Sequence, residues 1–427
     1  MANLSQSKRK EMLDFLDKIR AEHQDDETIK AINEIENALT EKKYGLVWEK
    51  HTERVDEEMV HNIPIFTEIE DRKIKNSKSN DYNFLIEGDN LHSLKLLEKT
   101  HKGKIDIIYI DPPYNTGNKD FKYNDNYVDK DDGFKHSKWL SFMSERLTIA
   151  QELLNEKGFI FISIDDNEFS QLKLLCDEIF GETNYVNEII WQKLTASKAQ
   201  SLYFSNLHEK VLVYRKTGSG TLEKIYVQSA HDSKTYNKVE EDTGRRYGTF
   251  DFTQKGQGDG KYFGDKFLEP PIGKHWIWTQ EKINEGLANG LIVFTKNGLP
   301  RVKRYLDNKK GNLIGDIWID DEIKALSANS SERVGFDTQK PLSLIKRILK
   351  TKCDKITILD FFAGSGTTGH AVMQLNKEDG GNRKYILCTN NENNICEEIT
   401  YQRLQNIQNE LPHNLKYLAM SQQTVDK

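Results

Sequence analysis

The spacing of hydrophobic and polar positions changes along this chain, and these changes divide it into four parts. In the first part, residues 1–60, the apolar positions have helical spacing in two groups separated by the polar segment HQDDET. These positions are Leu13, Leu16 and Ile19, followed by Ile29, Ile32, Ile35 and Leu39. We predict an N-terminal helical hairpin, with Asp26 and Thr28 capping its second helix. The pattern leaves open whether the hairpin packs against the main domain or mediates dimerisation.

Residues 61–216 change to an alternation of strands and helices. The apolar segments that predict strands are Asn83–Glu87, Ile105–Ile110, Phe159–Ile164 and Lys210–Tyr214. The segments with helical spacing are Leu91–His101, Trp139–Leu154 and Glu168–Phe180. Because the strands are apolar at successive positions, we expect a parallel sheet with both faces covered.

The alternation is lost over residues 217–329, where glycines are frequent and aromatic residues are scattered, so we predict a separate inserted domain there. It returns over residues 330–427. The predicted elements of this last part are a helix at Lys340–Lys352, a strand at Lys355–Phe361, a helix at Gly369–Asn376 and a final strand at Lys384–Cys388. The expected fold is a doubly wound mixed α/β sheet that the far end of the chain completes.

Composition supports a globular protein of two or three domains, since the 427 residues are 37% hydrophobic and 30% charged. No apolar run approaches the roughly 20 residues of a membrane helix, and the first residues lack the apolar core of a signal peptide. These features predict a cytoplasmic protein with no membrane partner. The four cysteines lack the paired spacing of a zinc site, so we expect reduced, packed thiols and no metal.

The formal net charge of −6 does not indicate a nucleic-acid-binding protein, but acidic and basic residues are segregated along the chain. Six basic residues in Lys296–Lys310 are opposed only by Asp307, and five in Lys193–Lys216 are opposed only by Glu209. Each run is either a solvated face or a place where a polyanion is held.

A glycine-rich turn follows one of the predicted strands in ILDFFAGSGTTGHAV. Asp360 ends the strand, and Gly364 and Gly366 let the backbone approach a ligand at the start of a helix, whose free N–H groups favour a nucleotide-type ligand. A tight turn without a ligand is the alternative. A phosphate-binding P-loop is disfavoured because His370 occupies the position of its lysine. Glu392 comes near the end of the next strand, where such folds place a carboxylate for ribose hydroxyls.

The tetrapeptide Asp111-Pro112-Pro113-Tyr114 follows a fully apolar strand, and its two prolines fix the backbone at the sheet edge where ligands bind. The exocyclic amine of a nucleobase is a poor nucleophile because its lone pair is delocalised into the ring. A carboxylate at Asp111 and the carbonyl of Pro112 can accept its two N–H bonds and so direct the lone pair at an electrophilic methyl group. The ring of Tyr114 can stack on a base that has left the duplex.

The order of these motifs, with DPPY first, FAGSGTT last and an irregular insert between them, resembles the beta group of amino-methyltransferases. The segments DPPYNTGNKDFKYND, HSKWLSFMSERL, GFIFISIDDNE and DTQKPLSLI are similar to the modification subunits of type III restriction-modification systems. The resemblance covers about Tyr82–Tyr214 and Thr338–Leu404. It implies a circularly permuted Rossmann-like methyltransferase fold whose inserted domain recognises the target.

The implied activity is site-specific methylation of double-stranded DNA by S-adenosylmethionine at adenine N6, since Asp rather than Ser begins the tetrapeptide. Cytosine N4 remains an alternative target, as does a non-catalytic DNA-recognition subunit with a vestigial fold. Methylation of RNA or protein is disfavoured, because protein-directed relatives usually begin the tetrapeptide with Asn. The chain is shorter than usual type III modification subunits, so a solitary enzyme, a homodimer and a complex with a restriction subunit all remain open.

The same resemblance assigns roles to individual residues. The implied catalytic residues are Asp111, Pro112, Pro113 and Tyr114. The implied cofactor-binding residues are Asp89, Lys340, Pro341, Asp360, Phe362, Gly364, Gly366, Thr367 and Glu392. Among these, Asp89 lies near the adenine, Glu392 at the ribose, and Lys340 and Pro341 close the pocket. The basic residues expected to contact DNA phosphates from the insert are Arg301, Lys303, Arg304, Lys309 and Lys310.

Overall fold

The computed structural model describes residues 4–23, 25–40, 48–59, 62–76, 80–124, 126–196, 203–227, 230–320, 323–327, 329–336 and 338–424. The helices are α1 (Leu4–Glu22), α2 (Asp26–Thr40), α3 (Arg54–Met59), α4 (Asn90–His101), α5 (Lys135–Leu153), α6 (Phe169–Cys176), α7 (Ala230–Thr235), α8 (Gln280–Ala288), α9 (Leu342–Leu349), α10 (Thr367–Asp379) and α11 (Gln402–Ile407). Helix α6 continues as a π-helix at Asp177–Gly181, and another π-helix at Ile395–Tyr401 precedes α11.

The strands fall into three groups along the chain. Those before the insert are β1 (Asn62–Glu68), β2 (Ile74–Lys75), β3 (Asn83–Glu87), β4 (Ile105–Ile110), β5 (Lys122–Tyr123), β6 (Asn126–Tyr127), β7 (Leu154–Ile164), β8 (Tyr185–Gln192) and β9 (His208–Arg215). The next are β10 (Tyr226–Val227), β11 (Lys238–Val239), β12 (Arg246–Phe250), β13 (Thr253–Lys255), β14 (Lys261–Phe263), β15 (Lys266–Leu268), β16 (Lys274–Trp276), β17 (Ile292–Phe294), β18 (Pro300–Tyr305), β19 (Asn312–Leu313) and β20 (Ile317–Trp318). The last are β21 (Thr357–Asp360), β22 (Lys384–Thr389) and β23 (Asn414–Thr424).

One large mixed sheet organises the protein, with strand order β1-β23-β3-β22-β21-β4-β7-β9-β8-β20. Its central strands, from β23 to β7, are parallel, as expected. Strands β1 and β9 pair antiparallel at the two sides, so the sheet is mixed, as the expected fold requires, although Lys210–Tyr214 had been grouped with the parallel strands. Lys384–Cys388 is also not the final strand, because β23 follows it and pairs with both β1 and β3.

The central strands are apolar at successive positions because each contributes to two cores. In β4, Ile107 and Tyr109 lie in the core that α9 and α10 cover, whereas Ile108 and Ile110 lie in the core that α4 and α5 cover. Burial on both faces explains why a run such as IDIIYI forms a central strand. The far end of the chain supplies β21 and β22, which lie between β3 and β4, so the predicted completion of the sheet is confirmed.

The insert has small antiparallel sheets of its own, of which the largest has the order β11-β12-β18-β17. Its aromatic-rich core includes Phe252, Phe263 and Trp276. The predicted end at residue 329 lies beyond the separately packed region, because β20 joins β8 in the large sheet. Trp318 and Ile323 accordingly pack in the main core.

The N-terminal segment forms the predicted helical hairpin, since α1 and α2 contact each other. Its cap is Asp25, whose carboxylate accepts a hydrogen bond from the backbone N–H of Thr28 at 2.8 Å, whereas the side chain of Asp26 lies outside the described residues. In the described part of the chain, no helix combines the length and the apolar character that crossing a bilayer requires. Three of the free cysteines are buried, and Cys353 is exposed.

A buried ion pair joins the segment before α3 to α5. The side chain of Arg146 is 0% exposed and donates to the two carboxylate oxygens of Glu53 at 2.7 and 3.1 Å. Its Nε also donates to Asn90 Oδ1 at 2.6 Å, at the start of α4. This arginine therefore connects the N-terminal segment to the helices that cover one face of the sheet.

We predict that Glu53→Ala lowers the free energy of unfolding by about 3 kcal/mol, because it removes the main partner of a buried guanidinium. Denaturant unfolding measures the change. The control is Lys50→Ala, since Lys50 is 72% exposed and pairs with Glu145 at 3.3 Å. A surface pair of this kind contributes about 1 kcal/mol or less. Equal losses for the two variants would contradict the prediction.

Candidate functional site

Carboxylates stand at the ends of four neighbouring parallel strands. Asp89 follows β3, Glu392 follows β22, Asp360 ends β21 and Asp111 follows β4. These strands are hydrogen-bonded in the order β3-β22-β21-β4, so the carboxylates share one edge of the sheet. The expectation that the loops at Gly364 and Asp111 lie side by side is confirmed, because β21 pairs in parallel with β4. Ligands bind at this edge in open α/β sheets.

The glycine-rich turn between β21 and α10 requires its glycines. Gly364 and Gly366 have φ angles of 47° and 72°, which favour glycine. A Cβ on Gly366 would lie 3.1 Å from Cγ2 of Thr400. Gly366 caps α10, whose first N–H groups therefore begin directly at the turn.

Asp360 is held under this turn. Its carboxyl accepts hydrogen bonds from the backbone N–H of Phe362 at 3.0 Å and from Thr368 Oγ1 at 2.5 Å. Burial raises the pKa of Asp360 to about 7. The hydroxyl of Thr367 accepts a hydrogen bond from Arg403 at 2.8 Å, so this side chain supports the turn from within.

The carboxylates that follow β3 and β22 already have protein partners. Asp89 caps α4 by accepting a hydrogen bond from the N–H of Leu91 at 2.7 Å. Glu392 is 44% exposed and pairs with Lys122 at 2.6 Å. Both side chains remain partly exposed at the sheet edge, where a ligand can reach them.

The loop after β4 is fixed from behind by hydrogen bonds. The indole N–H of Trp139 donates to the carbonyl of Pro113 at 2.8 Å. Asn115 has a φ of 58°, and its amide donates to Glu168 Oε1 at 2.5 Å. The backbone of the tetrapeptide is therefore anchored at Pro113 and immediately after Tyr114.

An ion cluster lies at the tetrapeptide itself. The ammonium of Lys340 donates to Asp111 Oδ1 and Oδ2 at 2.8 and 2.7 Å and to the hydroxyl of Tyr114 at 2.9 Å. The Tyr114 hydroxyl lies 2.8 Å from Asp111 Oδ1 and 3.1 Å from Glu209 Oε2, and Lys193 pairs with Glu209 at 2.7 Å. Two carboxylates thus face two ammonium groups around one tyrosine hydroxyl.

Lys340 and Glu209 make contacts that the sequence did not predict. Lys340 is expected to close the cofactor pocket, and its ammonium contacts the carboxylate of Asp111. Pro341 caps α9 next to it. Glu209 was missed, although it is the single acidic residue in the basic stretch Lys193–Lys216. Its position as a lone acidic residue among basic ones was the sequence feature that could have identified Glu209 as a site residue.

The electrostatics of the cluster follow from burial and pairing. Burial raises the pKa of the Asp111 carboxyl, and the Lys340 ammonium opposes that rise. Burial disfavours the ammonium of Lys340, yet Asp111 and Glu209 together raise its pKa above the ordinary value. Although burial also disfavours ionised Glu209, Lys340 and Lys193 lower its pKa. The cluster therefore favours the charged forms of Lys340 and Glu209.

The basic residues of the insert are not equally available. Lys303 pairs with Glu240 at 2.9 Å and Lys309 with Asp232 at 2.5 Å. Arg301 donates to the carbonyl of Thr249 at 3.0 Å. The remaining two candidates, Arg304 and Lys310, are exposed, and the guanidinium of Arg304 lies over the ring of Phe250.

The chain is similar to known DNA methyltransferases. A family model described as DNA methylase matches residues 105–401. The modification subunit of the type III restriction-modification enzyme StyLTI of Salmonella typhimurium is 35% identical over 385 residues, which cover 81% of this chain and 58% of that relative. The chain therefore spans somewhat less than three fifths of the length of the Salmonella relative.

The type II methyltransferase M.KpnI of Klebsiella pneumoniae is 35% identical over 355 residues, which cover 74% of this chain and 82% of that relative. Among solved structures, a Thermus thermophilus DNA modification methylase in complex with S-adenosyl-L-methionine is similar over 78% of this chain and 99% of its own. Its TM-score is 0.41 at 14% identity.

We predict that stability falls as pH rises, because Glu168 and Asp360 are buried acids. Glu168 is 0% exposed, and burial raises its pKa from 4.5 to about 8. The unfolded chain releases this proton near its ordinary pKa, whereas the folded chain retains it until about pH 8. The stabilisation is therefore complete below about pH 4.5 and is lost as pH rises through about 8.

Glu168→Gln keeps an uncharged group at this position, so its melting temperature is expected to fall less steeply than that of the wild type between about pH 5 and 8.5. Thermal unfolding across this range measures both slopes. Glu145→Gln, at an exposed pair with Lys50, is the control and is expected to keep the wild-type slope. A Glu168→Gln slope equal to the wild-type slope would show that Glu168 is ionised in the folded protein.

Proposed function

Because the chain belongs to the DNA methylase family, we propose that it transfers a methyl group from S-adenosylmethionine to adenine N6 at a specific sequence in double-stranded DNA. The observation that carries this proposal is the pairing of β21 with β4, which brings the Asp360 and Asp111 loops together. Methyl transfer requires donor and acceptor atoms to approach within about 3 to 3.5 Å, so two adjacent loops are the geometry that it needs.

The residues at the sheet edge fit S-adenosylmethionine by their chemistry. Its amino group, ribose hydroxyls and adenine amine are hydrogen-bond donors, and Asp360, Glu392 and Asp89 present carboxylates along three neighbouring strands. The start of α10 at Gly366 offers backbone N–H donors for a carboxylate. Phe362, Gly364 and Thr367 complete the same turn. When bound, the cofactor supplies an electrophilic methyl group.

The tetrapeptide provides the acceptor side of the reaction. Asp111 and the carbonyl of Pro112 accept the two N–H bonds of the target amine and orient its lone pair. Pro113 and Tyr114 hold the loop and the extruded base. The hydroxyl of Tyr114 also contacts Asp111, a contact that stacking alone does not require. The choice of adenine N6 as the target rests on Asp at the first tetrapeptide position. Cytosine N4 is the alternative target, and the methylation assay described below distinguishes the two.

The wider organisation belongs to the same proposal. The separately packed part of residues 217–329, which ends before β20, forms the target-recognition domain. The placement of β21 and β22 between β3 and β4 supports a circularly permuted methyltransferase fold. We place the enzyme in the cytoplasm, as part of a restriction-modification system. One relative is named a modification subunit of a type III enzyme, which supports a restriction-subunit partner. Another is named a type II methyltransferase, and a solitary enzyme and a homodimer are the alternatives.

The direct test measures transfer of a tritiated methyl group from S-adenosylmethionine to DNA, followed by sequencing of the methylated bases. N6-methyladenine at one sequence is the expected product, whereas N4-methylcytosine would replace the proposed target. Asp111→Ala is expected to lower kcat at least about 100-fold while cofactor affinity, measured by calorimetry, stays unchanged. Near-normal turnover by Asp111→Ala, or no transfer by the wild type, would refute the assignment.

A second prediction concerns the phosphate contacts of the insert. If Arg304 and Lys310 each neutralise one phosphate, alanine at both should reduce the log–log salt slope of DNA binding by about 1.8, at roughly 0.9 per contact. Lys303→Ala is the control and is expected to change the slope little, because Glu240 already neutralises this lysine. Binding titrations over a range of salt concentrations measure the slopes. An unchanged slope in the double variant would show that this surface faces away from DNA.

A further inference from the structure

The charges around Asp111 are arranged around one shared lysine. Lys340 and Glu209 are 9% and 7% exposed. The ammonium of Lys340 binds both oxygens of Asp111 at 2.8 and 2.7 Å, and it lies 3.5 Å from Glu209 Oε2. The buried ammonium of Lys340 therefore contacts both carboxylate oxygens of Asp111, and the carboxylate of Glu209 lies close to it.

Full contact between Lys340 and Asp111 conflicts with methyl transfer. Each carboxylate oxygen can accept about two hydrogen bonds. Oδ1 of Asp111 already faces Lys340 and the Tyr114 hydroxyl, and Oδ2 faces Lys340, so an incoming amine must share the carboxylate with the ammonium. During transfer the methyl carbon breaks its bond to a sulfonium sulfur and bonds to the amine nitrogen, which takes over the positive charge. That nitrogen then releases one proton to an acceptor. An ammonium at Asp111 opposes both the new charge and the acceptance of the proton.

We propose that Lys340 is a movable counter-ion and that Glu209 is its second binding position during the reaction. As the target amine reaches Asp111, Lys340 transfers to Glu209 and frees the Asp111 carboxylate to accept one N–H bond of the amine and then the released proton. Lys340 returns to Asp111 after the proton passes to water and the product leaves. Both are positioning residues, and this inference rests on the proposed methyl transfer.

The surroundings of Glu209 suit this role. Lys193 holds Oε1 at 2.7 Å, which leaves Oε2 directed at Tyr114 and Lys340. The Lys340–Glu209 separation has only to shorten from 3.5 Å to about 2.8 Å, the ordinary length of such a bond. The hydroxyl of Tyr114 contacts both carboxylates, so its proton can turn from one to the other. The lysine keeps a carboxylate partner throughout, which avoids an unpaired buried charge.

The test compares Glu209→Gln with the wild type in single-turnover methylation of an oligonucleotide that carries the methylated sequence. Glutamine keeps the size and an acceptor for Tyr114 but removes the charge that attracts Lys340. Lys340 then remains on Asp111, and we expect the rate near pH 7 to fall about 100-fold, with cofactor affinity unchanged by calorimetry. Glu188→Gln is the matched control, because Glu188 faces Lys210 at 3.5 Å in the same pair of strands.

The pH profile separates this role from a structural one. The titratable and charged groups around the Lys340–Glu209 pair are Asp111, Tyr109, Tyr114, Lys193 and Asp165, and Asp360 faces Asp111. In Glu209→Gln, each unit of pH increases the neutral fraction of Lys340 about tenfold as long as pH is below its pKa. We therefore expect the logarithm of the rate to rise with pH with a slope of about one. Lys340→Arg should be slow at every pH, because arginine stays protonated and binds a carboxylate through two N–H groups.

The outcomes distinguish the inference from the proposed function. A slow Glu209→Gln variant that recovers with pH and keeps its cofactor affinity supports the movable counter-ion. A wild-type rate, a loss that is equal at every pH, or a defect confined to cofactor affinity overturns it. If Glu209→Gln does not fold, Lys340→Arg carries the test, and a fast or pH-dependent rate there overturns the inference. No methylation by the wild type refutes the proposed function instead.

Discussion

The pairing of β21 with β4 is the constraint on which the functional site depends. Ile358 and Leu359 lie opposite Ile107 and Ile108 in a parallel ladder, although most of the chain separates them. The entropic cost of closing a long loop grows only slowly with its length, so the large intervening segment adds little further cost. Burial of both strands on both faces supplies the compensating stabilisation. The two loops that follow these strands therefore lie next to each other although they are far apart in the sequence.

The placement of charge follows from that pairing. A lone carboxylate at the end of a buried strand would lose hydration, and Asp360 responds with a raised pKa and two hydrogen bonds. Asp111 instead has Lys340 as its counter-ion. Removing one partner of such a pair leaves an uncompensated charge, so the cluster is stable only as a set. Lys340 comes from the segment just before α9, which means that three separate parts of the chain must fold before the cluster exists.

The sequence predicted the parts of the fold that are determined by local pattern. Apolar runs identified β3, β4 and β22, and glycine identified the turn at Gly364 and Gly366 because their φ angles exclude most other residues. Strands β1 and β8 were not predicted, because β1 has no buried position and β8 has only two, so neither forms a continuous apolar run. The contact between Lys340 and Asp111 has no sequence signature, since it depends on how separate loops pack. For the same reason the pairing of Lys303 with Glu240 could not be read from a basic run.

The site combines a fixed backbone with adaptable side chains. Trp139 donates a hydrogen bond to the carbonyl of Pro113, and Glu168 accepts one from the side-chain amide of Asn115, so the tetrapeptide is held on both sides of Tyr114. Burial lowers the pKa of His136, and its neutral ring can accept the proton of Glu168 at Nδ1, 2.8 Å from Oε1. The hydrogen bonds of Trp139, Glu168 and His136 behind the tetrapeptide are therefore between neutral groups. The cluster of Asp111, Lys340 and Glu209 in front of it is charged. Charges respond to an approaching ligand more strongly than neutral hydrogen bonds do, and the proposed shift of Lys340 involves only the charged groups.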